Sequence, residues 1–328
     1  YIPRRFLLGA ANTLYSVSSV TISMSRRFYQ LVMGNVFGGI GMAAQHPVSV
    51  SILADRFERS TLAGALGVFY GLGYLGNIIG PLILTQIAIR SGWRNSLLVL
   101  SVLPVTIGLS IILLLKGADR PTLEEEGRPK TSLLDDAKSA LRNQPATRTI
   151  AAQAFLSGAT DQGILVTYIA LFLRNGLGLS SLRTSILFST TMAAGVLGAL
   201  TIGRYANRLG PLKTAMISTA VACIATLALS FQRSFGYPLI LNLVLAGFFA
   251  LPVFNLMQAH ISSVSKPAER DILMGIFFTI GFGVSSIWTT LLGFAIDISR
   301  SFSPAWTLMA SLGCIAILLQ LRAYRLTT

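Results

Sequence analysis

Gly67-Val-Phe-Tyr-Gly-Leu-Gly73 returns, altered, as Gly275-Ile-Phe-Phe-Thr-Ile-Gly281. Both end glycines, the β-branched second position and the Phe agree at an offset of 208 residues. The loops ahead of them agree as well: Glu58-Arg59 is matched by Glu269-Arg270 once three extra residues are allowed in the first copy. A repeat of this period inside apolar, helix-length segments points to a membrane protein of two related halves rather than to a short-period solenoid.

Composition agrees. The 328 residues are 53% hydrophobic and only 12% charged, with a mean hydropathy of +0.67, against about 25% charge in soluble domains. A net charge of +14 in a soluble chain suggests nucleic acid. Here Lys and Arg sit in short clusters between apolar runs, where they set topology, so no nucleic-acid partner is expected. Cys223 and Cys314 lie in apolar runs without a CxxC or a nearby His, which indicates neither a disulfide framework nor a metal site; no metal or cofactor is expected. The first residue is Tyr, and no cleavable signal opens the chain.

Ten stretches are long and apolar enough to cross a hydrocarbon core, which takes about 20 helical residues. They run approximately over 6–25, 28–54, 62–89, 96–115, 150–173, 184–202, 214–231, 235–263, 272–296 and 303–321. Uninterrupted apolar runs lack the alternation of a membrane barrel, so the spanning elements are helices. The expectation is an all-α membrane protein with an N-terminal half over 1–116, a polar connector over 117–148 and a six-helix half over 149–328. Within the connector, Thr131 to Asn143 places Leu133, Leu134, Ala137 and Leu141 at helical spacing, either as an amphipathic helix on the membrane face or as a solvated linker.

Counted over alternate loops, 18 Lys and Arg fall on the side of the connector and the C-terminus and 8 on the other. The positive-inside rule turns the first set toward the cytoplasm of the cell membrane. The repeat also aligns Pro3-Arg4-Arg5 with Pro211-Leu-Lys213, each just ahead of an apolar helix. The second half has two helices before that point. The halves therefore match if two helices precede residue 1, giving twelve in all, of which four plus six are present.

At this point the chain resembles the major facilitator superfamily over its whole length. Gly203-Arg-Tyr-Ala-Asn207-Arg208-Leu-Gly210-Pro-Leu-Lys213 resembles that family's cytoplasmic signature, G-x-x-x-D-R-x-G-R-[RK]-[RK], with Asn207 in place of the acid; of the first-half copy only the tail with Arg4 and Arg5 is present. Basic groups in such a loop can bond helix-end carbonyls and pair with acids of a neighbouring helix, here Asp55 or Glu58, so stabilising one gate state. Gly76-Asn-Ile-Ile-Gly80-Pro81 resembles the G-x-x-x-G-P core of the antiporter motif, lacking its trailing glycines. Small residues there leave a smooth helix face for close packing, and Pro81 bends the helix. Gly41-Met-Ala-Ala-Gln45-His46-Pro47 and the following glycine-rich helix are similar to the fosmidomycin-resistance branch of drug efflux proteins. The resemblance implies a secondary transporter, acting as a monomer, whose halves alternate around a site for a small molecule.

Ionisable and polar groups at depth are the candidates for that site, because they are costly there. Asp161, followed by Gln162, falls near the midplane of its span; a carboxyl at that depth can take up and release a proton within a transport cycle, or can lock packing by bonding a Ser or Thr of a neighbouring helix. His46, beside Gln45 and ahead of Pro47, suits proton coupling or an anionic group of a substrate, and equally a satisfied interior histidine. Asn35 and Asn255 are polar at cavity depth, with Gln258 nearby; His260 lies nearer the helix end and reads as interfacial. Phe155, Tyr168 and Phe254 are candidate pocket aromatics, and Trp93 and Trp306 fit the aromatic belt. No Lys or Arg lies at depth, and no metal spacing, nucleophile elbow or cofactor loop occurs in the helices, which disfavours an enzyme. Proton-coupled efflux of a drug-like or amphiphilic compound is the leading reading; proton symport of a small metabolite or organic anion is the alternative.

Overall fold

The computed structural model describes residues 3–43, 45, 48–49, 52, 59–115, 138–265 and 267–326. Among them there is no β-strand. The contacts divide the chain into two compact units, Tyr1–Pro129 and Lys130–Thr328.

In the first unit, α1 (Arg4–Met24), α2 (Phe28–Ala43), α3 (Arg59–Ser91) and α4 (Trp93–Leu114) follow one another. α1 packs chiefly on α4 and α2. Small residues make this possible: a Cβ on Gly41 would stand 2.7 Å from the Ala11 carbonyl oxygen, and one on Gly9 2.4 Å from Ile112. The serine hydroxyls of α1 are buried rather than lipid-facing. Ser18 donates to the Gly34 carbonyl at 2.6 Å, and Ser16 donates to the Ser101 carbonyl, so α1 is tied to both neighbours.

In the second unit, α5 (Gln144–Ala159) and α6 (Gln162–Leu171), closed by a π turn at Phe172–Gly176, form one interrupted span. α7 (Ser181–Leu209), α8 (Pro211–Leu229), α9 (Tyr237–Val264), α10 (Pro267–Ser299) and α11 (Ser303–Tyr324) complete it. α5 lies against α11 and α10, while α9 lies between α7 and α8. The core is aliphatic and aromatic, with Leu156, Met257, Leu273, Phe277 and Ala316 fully or almost fully buried.

Among the described residues seven helices are long and apolar enough to cross a membrane, from Trp93–Leu114 through Ser303–Tyr324. The spans expected over 6–25, 28–54 and 62–89 are outside that set. The first corresponds to α1, whose buried Asn12, Ser16, Ser18, Ser19 and Ser23 lower its apolar character; the described part of α2 stops at Ala43. The amphipathic segment expected over 131–143 falls mostly outside the described residues, although Ala140 is fully buried.

Three expectations change. The span read as one helix over 150–173 breaks at Thr160–Asp161. Trp306 is fully buried, edge-on to Phe172 at 5.5 Å, and so belongs to the core rather than to an interfacial belt; Trp93 remains 46% exposed, with Arg94 stacked over its ring at 4.4 Å. His260 is 4% exposed and its Nε2 has no hydrogen-bond partner among the described residues, so it is an interior group and not an interfacial one.

Candidate functional site

The break in the α5–α6 span is written by its residues. Asn143 caps α5, accepting from the Ala146 amide at 3.2 Å, and its amide nitrogen donates to the Val264 carbonyl at 2.9 Å, which fixes the start of α5 to the end of α9. α5 then runs to Ala159. The Thr160 amide still donates to the Leu156 carbonyl at 2.8 Å, but Asp161 turns extended, with φ −62° and ψ 135°. Its carboxylate restarts the helix, Oδ1 accepting from the Gly163 amide at 2.8 Å and the Ile164 amide at 3.4 Å. Asp is among the preferred N-cap residues for this reason.

α10 braces both sides of the break. Ser285 Oγ donates to Asp161 Oδ1 at 3.0 Å. On the α5 side Trp288 Nε1 donates to the Ala154 carbonyl at 2.8 Å. On the α6 side the Tyr168 hydroxyl donates to the Thr289 carbonyl. Close approach is set by Gly158, where a Cβ would stand 2.5 Å from Leu312 and 2.7 Å from the Trp288 ring. Asp161 lies midway along the 33-residue candidate membrane span Gln144–Gly176, and among the described residues its carboxylate is held by hydrogen bonds with no ion pair. Such a group is costly in hydrocarbon unless hydrogen-bonded or protonated, so three donors on one oxygen are what hold it there.

The other candidates disperse. Gln162 begins α6 beside Asp161. Asn255 shares an open cleft of about 210 Å³ with Gly203, Ala206, Pro211, Pro252 and Ala259, so it stands against the signature loop and not against Asp161. In that loop Gly210 ends α7 at φ +84°, a conformation that favours glycine, and Pro211 opens α8. Arg208 and Lys213 are exposed; Asn207 is within α7. Gln258 and Gln45 are half-buried. Asn35 is exposed, its amide bonded to the Leu31 carbonyl of its own helix at 2.8 Å. Arg4 and Arg5 open α1 half-buried, Arg5 lying over the Phe6 ring at 4.7 Å. His46, Asp55 and Glu58 lie outside the described residues. Of the aromatics, Phe155 faces Trp288 at 6.5 Å, and Phe254 packs among Phe277, Phe278 and Phe282. A Cβ on Gly76 or Gly80 would meet nothing within 4 Å, so their face is open within its own unit among the described residues.

Sequence reasoning missed Ser285. The signal was there: Ser285-Ser286 and Thr289-Thr290 recur one turn apart in an otherwise apolar helix, four residues beyond the repeat that ends at Gly281.

A bundle with seven helices, among the described residues, long and apolar enough to cross a membrane is that of a multi-pass membrane protein. The Major Facilitator Superfamily model matches the chain over residues 1–187 and again over 150–327, and the chain belongs to that family. Its members are transporters rather than enzymes. Among curated proteins the chain is 30% identical over 164 residues to the sphingosine-1-phosphate transporter SPNS2 of Mus musculus, covering 48% of this chain and 30% of that protein. It is 24% identical over 119 residues to the probable L-galactonate transporter of Escherichia coli (strain K12), covering 36% and 26%. The matched stretches thus span about a third or less of the length of these relatives. Among solved structures it is similar in fold to the E. coli fucose:proton symporter FucP, with a TM-score of 0.73 at 14% identity, covering 98% of this chain and 84% of that one. A POT family transporter in complex with a thioalcohol-conjugated peptide gives a TM-score of 0.76 at 13% identity, covering 100% and 82%.

Proposed function

We propose that this chain is a proton-coupled secondary transporter, with Asp161 as the proton-carrying group, that exports a small amphiphilic compound by alternating access of its two halves. The observation that carries the reading is the placement of Asp161: a carboxylate at the interruption of a membrane span, held among the described residues by neutral donors. Such a group changes its interactions when protonated, because the neutral acid is a poorer acceptor for Ser285 and for the two cap amides. The local event is thereby connected to α10. The basic loops and C-terminus face the cytoplasm in this reading, and the protein sits in the cell membrane. The basic signature loop around Arg208 and Lys213, with Arg4 and Arg5, serves the cytoplasmic gate, while Gly76, Gly80 and Pro81 offer a packing face. His46, Gln45, Asn35, Asn255 and Gln258 are contributors to the substrate path. An amphiphile is favoured by the apolar composition of the bundle and by the likeness to a sphingosine-1-phosphate transporter; export is favoured by the drug-efflux resemblance of residues 41–81.

A second reading, uptake of an organic anion by proton symport, is supported by the likeness to a probable L-galactonate transporter. The sign of proton flow separates the two. In proteoliposomes loaded with a pH-sensitive dye, external sphingosine-1-phosphate or L-galactonate is added as probe. An antiporter drives protons out and the lumen becomes more alkaline; a symporter acidifies it. Asp161→Asn is expected to abolish either signal with expression intact, and an unaltered signal removes Asp161 from coupling.

A further inference from the structure

We infer that the end of the second unit formed by α5 and α11 is a binding site for the headgroup of an anionic phospholipid. Arg148 of α5 and Arg322 and Arg325 of α11 line one open cleft of about 500 Å³, together with Leu319 and Leu326. Arg148 reaches across to α11, its Nη1 donating to the Arg322 carbonyl at 3.4 Å. Among the described residues none of the three guanidiniums is ion-paired. Three like charges gathered without a counter-ion repel one another, and a phosphate accepting from two or three of them removes that repulsion with charge-assisted hydrogen bonds.

Helix electrostatics accounts for only part of the cluster. Arg322 and Arg325 stand at the C-terminal end of α11, where a cation is favoured by the helix dipole. Arg148 stands near the N-terminal end of α5, where it is not. Its presence beside the other two calls for an anion common to both helices.

The surroundings select a lipid over a soluble anion. On α11, Ile315, Leu318, Leu319, Arg322, Arg325 and Leu326 fall on one stripe by helical spacing. Ile315 is 41% and Leu318 61% exposed. An apolar strip thus leads directly from the arginines along a membrane-spanning helix, which is the arrangement of a phosphate with an acyl chain attached. Basic pockets at the cytoplasmic ends of membrane helices bind anionic headgroups in this way. The site does not depend on Asp161 or on the transport reading.

The test titrates phosphatidylglycerol, phosphatidylcholine or inorganic phosphate into the full chain in neutral detergent, following retained lipid by native mass spectrometry and the unfolding midpoint. Phosphatidylglycerol is expected to bind in preference to phosphatidylcholine. The triple variant Arg148→Gln, Arg322→Gln, Arg325→Gln is expected to bind it about a hundredfold more weakly, at roughly 1 kcal/mol for each basic group. Arg300→Gln, at the other end of α11, keeps wild-type binding. Absence of the preference in the wild type, or its survival in the triple variant, overturns the site. Competition by inorganic phosphate at equal concentration overturns the lipid and leaves a free-anion site. Should the triple variant not fold, Arg325→Gln alone, on an exposed helix end, decides: about a fivefold loss supports the site, and unchanged binding overturns it.

Discussion

Asp161 does two things at once, since its carboxylate caps α6 and accepts from Ser285, and the substitutions at this position separate them. Asn is as good an N-cap as Asp, so Asp161→Asn keeps the restart of the helix and loses the titrating group. Asp161→Ala loses both. The alanine variant is expected to unfold earlier than the asparagine variant by about 1 kcal/mol, read as a lower midpoint of thermal denaturation in detergent, while both lose proton-driven transport. Equal midpoints would mean that the cap contributes nothing and that the break is imposed by packing on α10. Asp161 was legible in the sequence because a carboxylate in an apolar run is conspicuous. Its capping role was legible in principle from Thr160-Asp161-Gln162-Gly163, an N-cap residue with a helix breaker two positions on, but the apolar runs on either side read as one span. Ser285, His260 and Trp306 were less legible, because what a residue faces depends on the rotation of its helix about its own axis. Composition at the end of a helix cannot distinguish a belt tryptophan from one turned onto Phe172.

At the scale of elements the deciding residues are glycines, and the tightest approaches within the second unit are not at those of the repeat. A Cβ on Gly198 of α7 would stand 1.9 Å from the Phe248 carbonyl oxygen, and one on Gly247 of α9 2.1 Å from the Thr191 carbonyl oxygen. These are backbone atoms that cannot swing aside, so α7 and α9 meet at near-minimal separation, as small residues allow in membrane bundles. Of the repeat's glycines, a Cβ on Gly275 would meet nothing within 4 Å and one on Gly281 would stand 3.3 Å from the Phe254 ring, a side chain that can give way. Gly198→Ala is therefore expected to destabilise by about 1–3 kcal/mol through overpacking. Gly80→Ala is expected to leave the midpoint unchanged or to raise it, because alanine is the better helix former by about 1 kcal/mol. A fluorescence-detected measurement of the folded fraction against temperature checks both, and a destabilising Gly80→Ala would show that its face is packed. Helix existence was thus readable from apolar run length, whereas the close contacts were not, since Gly occurs in most of the spans and only the geometry says which Gly has a neighbour.

For the whole molecule, the apolar runs were sufficient to reach a helical bundle, because every backbone polar group in lipid must be satisfied within helices; the 208-residue repeat is a separate signal, from which the expectation of two related halves came. Substrate chemistry was not reachable in the same way. It resides in which side chains of separate helices converge, and the polar candidates at depth proved to be dispersed, Asn255 against the signature loop and Asn35 on an exposed face. Coupling is the property of the whole that can still be argued. Exchange between two states needs only that the substrate-loaded form interconverts; uphill transport additionally needs the binding of proton and substrate to be linked, so that the gradient of one drives the other. If Asp161 carries the proton, Asp161→Asn holds the site permanently in its neutral form, cap intact, and removes the second requirement without the first. Exchange of labelled for unlabelled substrate across proteoliposomes, which requires no net proton movement, is then expected to continue within a few-fold of the wild-type rate, while accumulation against a gradient under an imposed pH difference falls to background. Loss of exchange and accumulation together would place Asp161 in the conformational change or in substrate binding; retention of both would leave the proton to another group.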